Sequence, residues 1–251
     1  MAGSFRTKGL ILQQQNIGER DKLVSFLSGD MGVTRAFVRG AKDIRRSTAA
    51  GSDICCYSAL TVVKGRSSYT VTEAVPQEQF KGLRSDITSM SLGQYFCELC
   101  LHICPAEQEA EDQLRLILNA LYLLSEHKKP PLQIKACFEM RLMAMSGYMP
   151  DLVMCADCGV YESDEMVFVP RTGQLYCSDC AAKNGVQGVR LPRAAVTALR
   201  HTIYSDFSQL FSFELKEELL EPLSFACERY VAYMTQRDYP TLRFYKQLNE
   251  I

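Results

Sequence analysis

Two thiol pairs, Cys155-Ala-Asp-Cys158 and Cys177-Ser-Asp-Cys180, give the chain its most specific chemistry, the spacing C-x2-C-x18-C-x2-C. Two residues between thiolates let one tight turn aim both sulfurs at a single ion, and a second such turn completes a tetrahedron. The ion this donor set selects is Zn2+, one per chain. Four protein thiolates leave no open coordination position, so the metal is expected to fold the segment and not to catalyse. Gly159 can relax the first turn. Between the pairs, Met166–Val169 and Gln174–Tyr176 flank Pro170-Arg171-Thr172-Gly173, a hairpin that brings the second pair back to the first. The plainer alternative is four reduced structural cysteines.

The second group is basic. Arg35, Arg39, Lys42, Arg45 and Arg46 lie within twelve positions; Lys64 and Arg66 fall in a later hairpin, and Lys8, Arg20 and Lys22 come earlier. On a small barrel these side chains are expected to line one groove, holding phosphates by charge and counterion release without reading sequence. Phe37, Tyr57 and Tyr69 are candidates to stack on bases, with core positions as their alternative. A solvated basic face is the competing reading of the whole group. The charge distribution favours a polyanion: residues 1–84 hold thirteen Lys/Arg against seven Asp/Glu, a balance of +6, whereas residues 85–251 balance at -7.

Other constellations carry less. Cys97-Glu-Leu-Cys100, with Cys104 and His102 nearby, repeats the C-x2-C spacing, but Leu92, Phe96, Leu99, Cys100 and Ile103 follow helical spacing, so buried helical thiols are expected. Cys55, Cys56, Cys137 and Cys227 read the same way. The chain has no phosphate-loop, dinucleotide or His-Glu-x-x-His motif, its three histidines are scattered, and no serine lies in a nucleophile elbow. No catalytic residue is proposed, and the expected class is a non-enzyme. No apolar run reaches the ~20 residues that span a bilayer, and Leu10-Ile11-Leu12 is too short for an export core. With eleven cysteines, an odd number, the expected home is a reducing cytoplasm.

The elements that position these residues follow from periodicity. Residues 1–80 read as five short strands with turns, a small barrel. In Asp112–Glu126 and again from Leu132 to Gly147 the apolar period is near 3.6, as it is over 192–236, where Pro222 is expected to break or start a helix. The expected fold class is α+β: a DNA-binding barrel at 1–80, a helical domain at 81–150 and 185–251, and a zinc ribbon inserted at 151–184.

This order of parts resembles the RecO family of bacterial recombination mediators, in its zinc-containing branch. The resemblance is carried by Thr7–Leu12, by Asn16-Ile-Gly-Glu-Arg-Asp-Lys-Leu-Val24, and by Gly32–Lys42 with its glycine-alanine-basic turn. Phe138–Pro150, ending in glycine-aromatic-x-proline before the first cysteine pair, and Thr241-Leu-Arg-Phe244 add to it. Asp43-Ile44 departs from the denser basic run of that turn. The resemblance implies an OB-fold that binds single- and double-stranded DNA, strand annealing, and loading of RecA with the help of RecR. It also implies engagement of the acidic C-terminal tail of single-stranded DNA-binding protein, for which Arg193, Arg200 and Arg243 are the candidates. A zinc-ribbon adaptor working through protein contacts alone is the rival class.

Overall fold

The computed structural model describes residues 3–40 and 47–249. Lys42, Arg45 and Arg46 lie outside them. The chain forms two compact units, one of residues 1–128 with 239–251 and one of residues 129–238.

The first unit opens with β1 (Ser4–Ile17), β2 (Asp21–Ser28), β3 (Gly32–Val38), the short α1 (Ser47–Gly51), β4 (Tyr57–Lys64) and β5 (Tyr69–Glu78). The five strands close into a barrel in the order β1-β2-β3-β5-β4, the OB-type arrangement expected from the short strands and turns. All pairs are antiparallel except β3 with β5, which run parallel. Alternation fills the interior: Ile11, Val24, Phe26, Ala36, Val38, Leu60, Val62 and Val71 form its core. Gly9 is required there, because a Cβ would stand 2.8 Å from the Phe26 ring.

The unit continues through α2 (Lys81–Ser85), α3 (Ile87–Ile103) and α4 (Glu111–Ser125). Asp86 caps α3 by accepting from the Thr88 and Ser89 amides. Cys97 and Cys100 are buried on α3, as helical spacing predicted, and Cys104 is buried at its C-cap. The Cys97 sulfur faces that of Cys55, at 3.6 Å.

The second unit contains α5 (Pro131–Met145), β6 (Asp151–Cys155), β7 (Glu165–Val169), β8 (Gln174–Cys177), α6 (Ser178–Asn184), β9 (Val189–Pro192), α7 (Arg193–Tyr204) and α8 (Glu217–Thr235). Its four strands form a sheet in the order β6-β8-β7-β9. Pro222 does not break a helix; α8 runs through it. Proline removes only the bond to the carbonyl four residues back, here that of exposed Glu218, which can face water. The last element, α9 (Pro240–Asn249), belongs to the first unit. There Tyr239 stacks edge-on against Tyr95 at 5.7 Å, and the Thr241 amide donates to Glu98 (3.2 Å). The helical residues expected as one domain are thus shared between the two units. No helix among the described residues is long and apolar enough to cross a membrane.

Candidate metal centre and nucleic-acid interface

The β7–β8 hairpin forms as its sequence predicts. Met166 pairs with Cys177 and Val169 with Gln174, and Gly173 takes the positive φ of 72° that the turn demands. Its closure brings the second thiol pair to the first. The Gly159 amide donates to the Cys155 carbonyl (3.0 Å) at φ 74°, closing one knuckle. In the other, the Cys180 amide points at the Cys177 sulfur (3.5 Å), which also caps α6. The four sulfurs lie within 4.8 Å of one another, and Cys158 and Cys177 are 3.8 Å apart. Zn–S bonds of about 2.3 Å in a tetrahedron place sulfurs about 3.8 Å apart, so the donor set fits that ion. This is the one such cluster of His, Cys, Asp or Glu among the described residues.

The electrostatics suit a thiolate at Cys155, whereas hydrogen bonding to Asp157 and to the neighbouring sulfurs raises the Cys180 thiol. Burial raises the Cys155 thiol, but amides of Cys158, Cys177 and Asp157 outweigh burial and draw it down to about 6. Asp157 accepts from Asn184 (3.1 Å), which ties the first knuckle to α6.

Arg200 braces the same region. Its Nε donates to the Leu152 carbonyl (2.7 Å), and one terminal nitrogen donates to the carbonyls of Val153 (3.0 Å) and Tyr161 (2.6 Å). The guanidinium also lies over the Tyr161 ring at 4.1 Å. Arg200 is buried, with its Nε and one terminal nitrogen held by backbone carbonyls, so its expected role in holding an acidic tail is corrected to a structural one. Arg193 is exposed but paired with Glu162. Arg243, on α9, belongs to the other unit. Arg200→Ala should orphan three carbonyls and cost roughly 3 kcal/mol, read as a lower urea midpoint at unchanged slope. Arg200→Lys should recover only part, having no planar fork.

On the barrel, alternation sorts the basic residues. Arg35, Phe37 and Arg39 are exposed in and just beyond β3, opposite the inward Ala36 and Val38. Phe37 is 37% exposed and is not a core residue. The register pairs Ala36 with Tyr69 and Phe37 with Thr70, setting β3 beside the strand that leaves the hairpin bearing exposed Lys64 and Arg66. Tyr69 itself packs on the core against Phe5, with the Lys64 ammonium 5.6 Å from its ring centroid. Tyr57 is half-buried and Arg20 is exposed in the β1–β2 turn.

Lys8 lies elsewhere, in a shallow groove of about 520 Å³ across β1, β4 and β5, lined by Arg6, Lys8, Ala59, Thr61, Glu73 and Val75. Arg6 was not among the expected contacts, although its position two residues before Lys8 puts it on the same strand face. Lys22 is the exception: its ammonium is 3.3 Å from Asp53 and 2.9 Å from the Gln14 carbonyl. Its expected phosphate contact is corrected to an internal ion pair. The single continuous groove expected from sequence is therefore two patches: the β3 face beside the β4–β5 hairpin, and the Arg6–Lys8 groove. Among the described residues neither patch's cations have an acidic partner.

Both regions fall within segments that match known families. Residues 1–80 match the family described as Recombination protein O N terminal, and residues 84–243 match Recombination protein O C terminal. A DNA repair protein RecO of Acetivibrio thermocellus is 31% identical over 98% of both chains. Those of Symbiobacterium thermophilum (28%, 93% of both chains) and Dehalococcoides mccartyi (27%, 93% of this chain and 92% of the relative) are also similar. The chain belongs to the RecO family of DNA repair proteins.

Proposed function

We propose that the chain acts without covalent chemistry, as a recombination mediator. It binds single- and double-stranded DNA on the outer face of its barrel, anneals complementary strands, and with RecR helps load RecA onto strands coated by single-stranded DNA-binding protein. The observation that carries this reading is the alignment of Arg35, Phe37 and Arg39 on one exposed strand face, where neither arginine is held in an ion pair among the described residues. Two cations flanking an aromatic ring suit a phosphate backbone with a base stacked between them. Neutralising phosphates on two strands lowers their mutual repulsion, which is what annealing requires. Lys64 and Arg66 extend the same patch, and Arg6 with Lys8 supplies a second hold. Lys42, Arg45 and Arg46 follow β3 in sequence and are assigned to the same partner.

The division of labour is that the barrel holds DNA and the helices receive protein partners. Arg193 and Arg243 remain the exposed candidates for the acidic tail. Cys155, Cys158, Cys177 and Cys180 would hold one Zn2+, which supplies a rigid cross-link and no reaction.

The double variant Arg35→Glu/Arg39→Glu should weaken single-stranded DNA binding at least tenfold at low salt. Losing two phosphate contacts should also flatten the slope of log K against log salt by about 1.4. Fluorescence anisotropy across a salt series reads both, and wild-type affinity and slope in the variant would sink the assignment. Annealing of strands precoated with single-stranded DNA-binding protein, with and without its acidic tail, tests the mediator role itself.

A further inference from the structure

Fifteen large apolar side chains are exposed among the described residues. Six of them, Tyr148, Met149, Val153, Met154, Val160 and Tyr161, fall within fourteen consecutive positions. Scattered exposed apolar residues are ordinary, but a concentration of this kind marks an interaction surface. The fold gathers it: the Cys155 amide donates to the Val160 carbonyl (2.8 Å), and a Cβ on Gly159 would stand 3.6 Å from the Met154 sulfur. These contacts, with the Arg200 nitrogen that bonds the carbonyls of both Val153 and Tyr161, bring the backbone of 153–155 beside that of 159–161. Tyr161 is 56% exposed yet pinned beneath Arg200, which makes it a pre-ordered aromatic anchor. Met149 and Met154 supply adaptable apolar volume beside it.

The two edges of the ribbon sheet differ. The β9 edge carries Arg190 and Pro192, residues that keep a strand edge from pairing. The β6 edge carries Val153 and Met154, with no Lys, Arg or Pro in the strand. Two of its carbonyls are already held by Arg200, so this edge offers side chains and not a free ladder.

Charge selects the occupant. Residues 142–170 contain five carboxylates and no Lys, Arg or His. Glu162 and Glu165 are paired with Arg193 and Arg190, and Asp157 has Asn184 and Lys183 beside it, which leaves exposed Asp151 and Asp164 in the same stretch of chain as the apolar side chains. A divalent ion bound by four thiolates would add a local charge of about -2. Such a face repels phosphate. A second copy related by a two-fold axis would set the same carboxylates against one another.

We infer that the β6 face of the ribbon docks a protein segment that presents apolar side chains between lysines or arginines. The inference uses no residue of the barrel and stands apart from the DNA reading.

The test titrates the full chain, metal bound, against two fluorescent amphipathic helical peptides, one of lysine and leucine and one of glutamate and leucine. The expected result is preferential binding of the lysine–leucine peptide, weakened at least tenfold in Val153→Ser/Met154→Ser. Both substituted side chains are exposed, so metal content and unfolding midpoint should be unchanged. The Arg35→Glu/Arg39→Glu variant should bind the peptide as the wild type does, which keeps this inference separable from the DNA assignment. Equal binding of the two peptides, or undiminished binding by the serine variant, overturns the proposal. So does concentration-dependent self-association that the serine variant abolishes, since it would give the face to a second copy.

Discussion

Replacing Cys158 by serine is expected to reduce bound zinc from one per chain to near zero and to unfold the ribbon around it. Cys158 is the most informative ligand to remove because it is exposed, so the substitution leaves no buried cavity. Structural zinc contributes on the order of 10–16 kcal/mol in small zinc-dependent folds, as large as the whole stability of an ordinary domain. The sheet it braces is small: β8 has 4 residues and β6 pairs with it only at Asp151 and Cys155. Elemental analysis reads the metal, and limited proteolysis at Arg171 and Lys183 reads the unfolding. Cys97→Ser is the control: its sulfur faces Cys55 inside the other unit, so metal content should not change. Full zinc occupancy in Cys158→Ser would refute the four-thiolate site.

The second large effect is expected at Lys135, a lysine with 1% exposure on α5. Its ammonium lies 3.0 Å from Glu139, 3.2 Å from Glu228 on α8, and 3.2 Å from the Ser224 hydroxyl. Glu139 is fully buried. Lys135→Met removes the buried ammonium that lies between Glu139 and Glu228 and breaks a buried ion pair from one side, which costs roughly 3–5 kcal/mol. Lys135→Met/Glu139→Leu should recover much of that loss, because Glu228 is partly exposed and can reach water. Urea unfolding checks both, and a single variant within 1 kcal/mol of wild type, taken as roughly no effect, would contradict the role. The network also predicts a pH dependence. Burial lowers the Lys135 pKa, but Glu139 and Glu228 outweigh it and hold it above the usual lysine value. A raised folded value means the contribution is complete below the unfolded value, about 10.4, and is lost as pH rises through the folded one. Stability should therefore fall on the alkaline side of that value, and fall less in the double variant.

The features legible in the sequence are those set by near neighbours. The knuckles depend on two-residue spacings and a glycine, and the strands on alternation, so both could be read from consecutive residues. The misread residues all depend on distant partners. Lys22 looked available because Asp53, which neutralises it, is 31 residues away, and Arg200 because its carbonyl acceptor on Leu152 is 48 residues away. Pro222 misled for another reason: a proline in the second turn of a long helix costs one bond and not the helix. The apolar run from Tyr148 to Tyr161 gave no sign of exposure, since residue type alone does not distinguish an interior from a docking surface.

Because α9 returns to lie with α3, the ribbon-bearing unit is a loop of 110 residues, Lys129–Asp238, spliced into the first unit and tethered at both ends. A protease that cut within it once would leave both fragments anchored in the first unit, co-migrating natively and separating only in denaturant. Truncation before Tyr239 would do its damage elsewhere, stripping the aromatic cover from Tyr95 and the partner from Glu98, and so loosening the unit that carries the barrel.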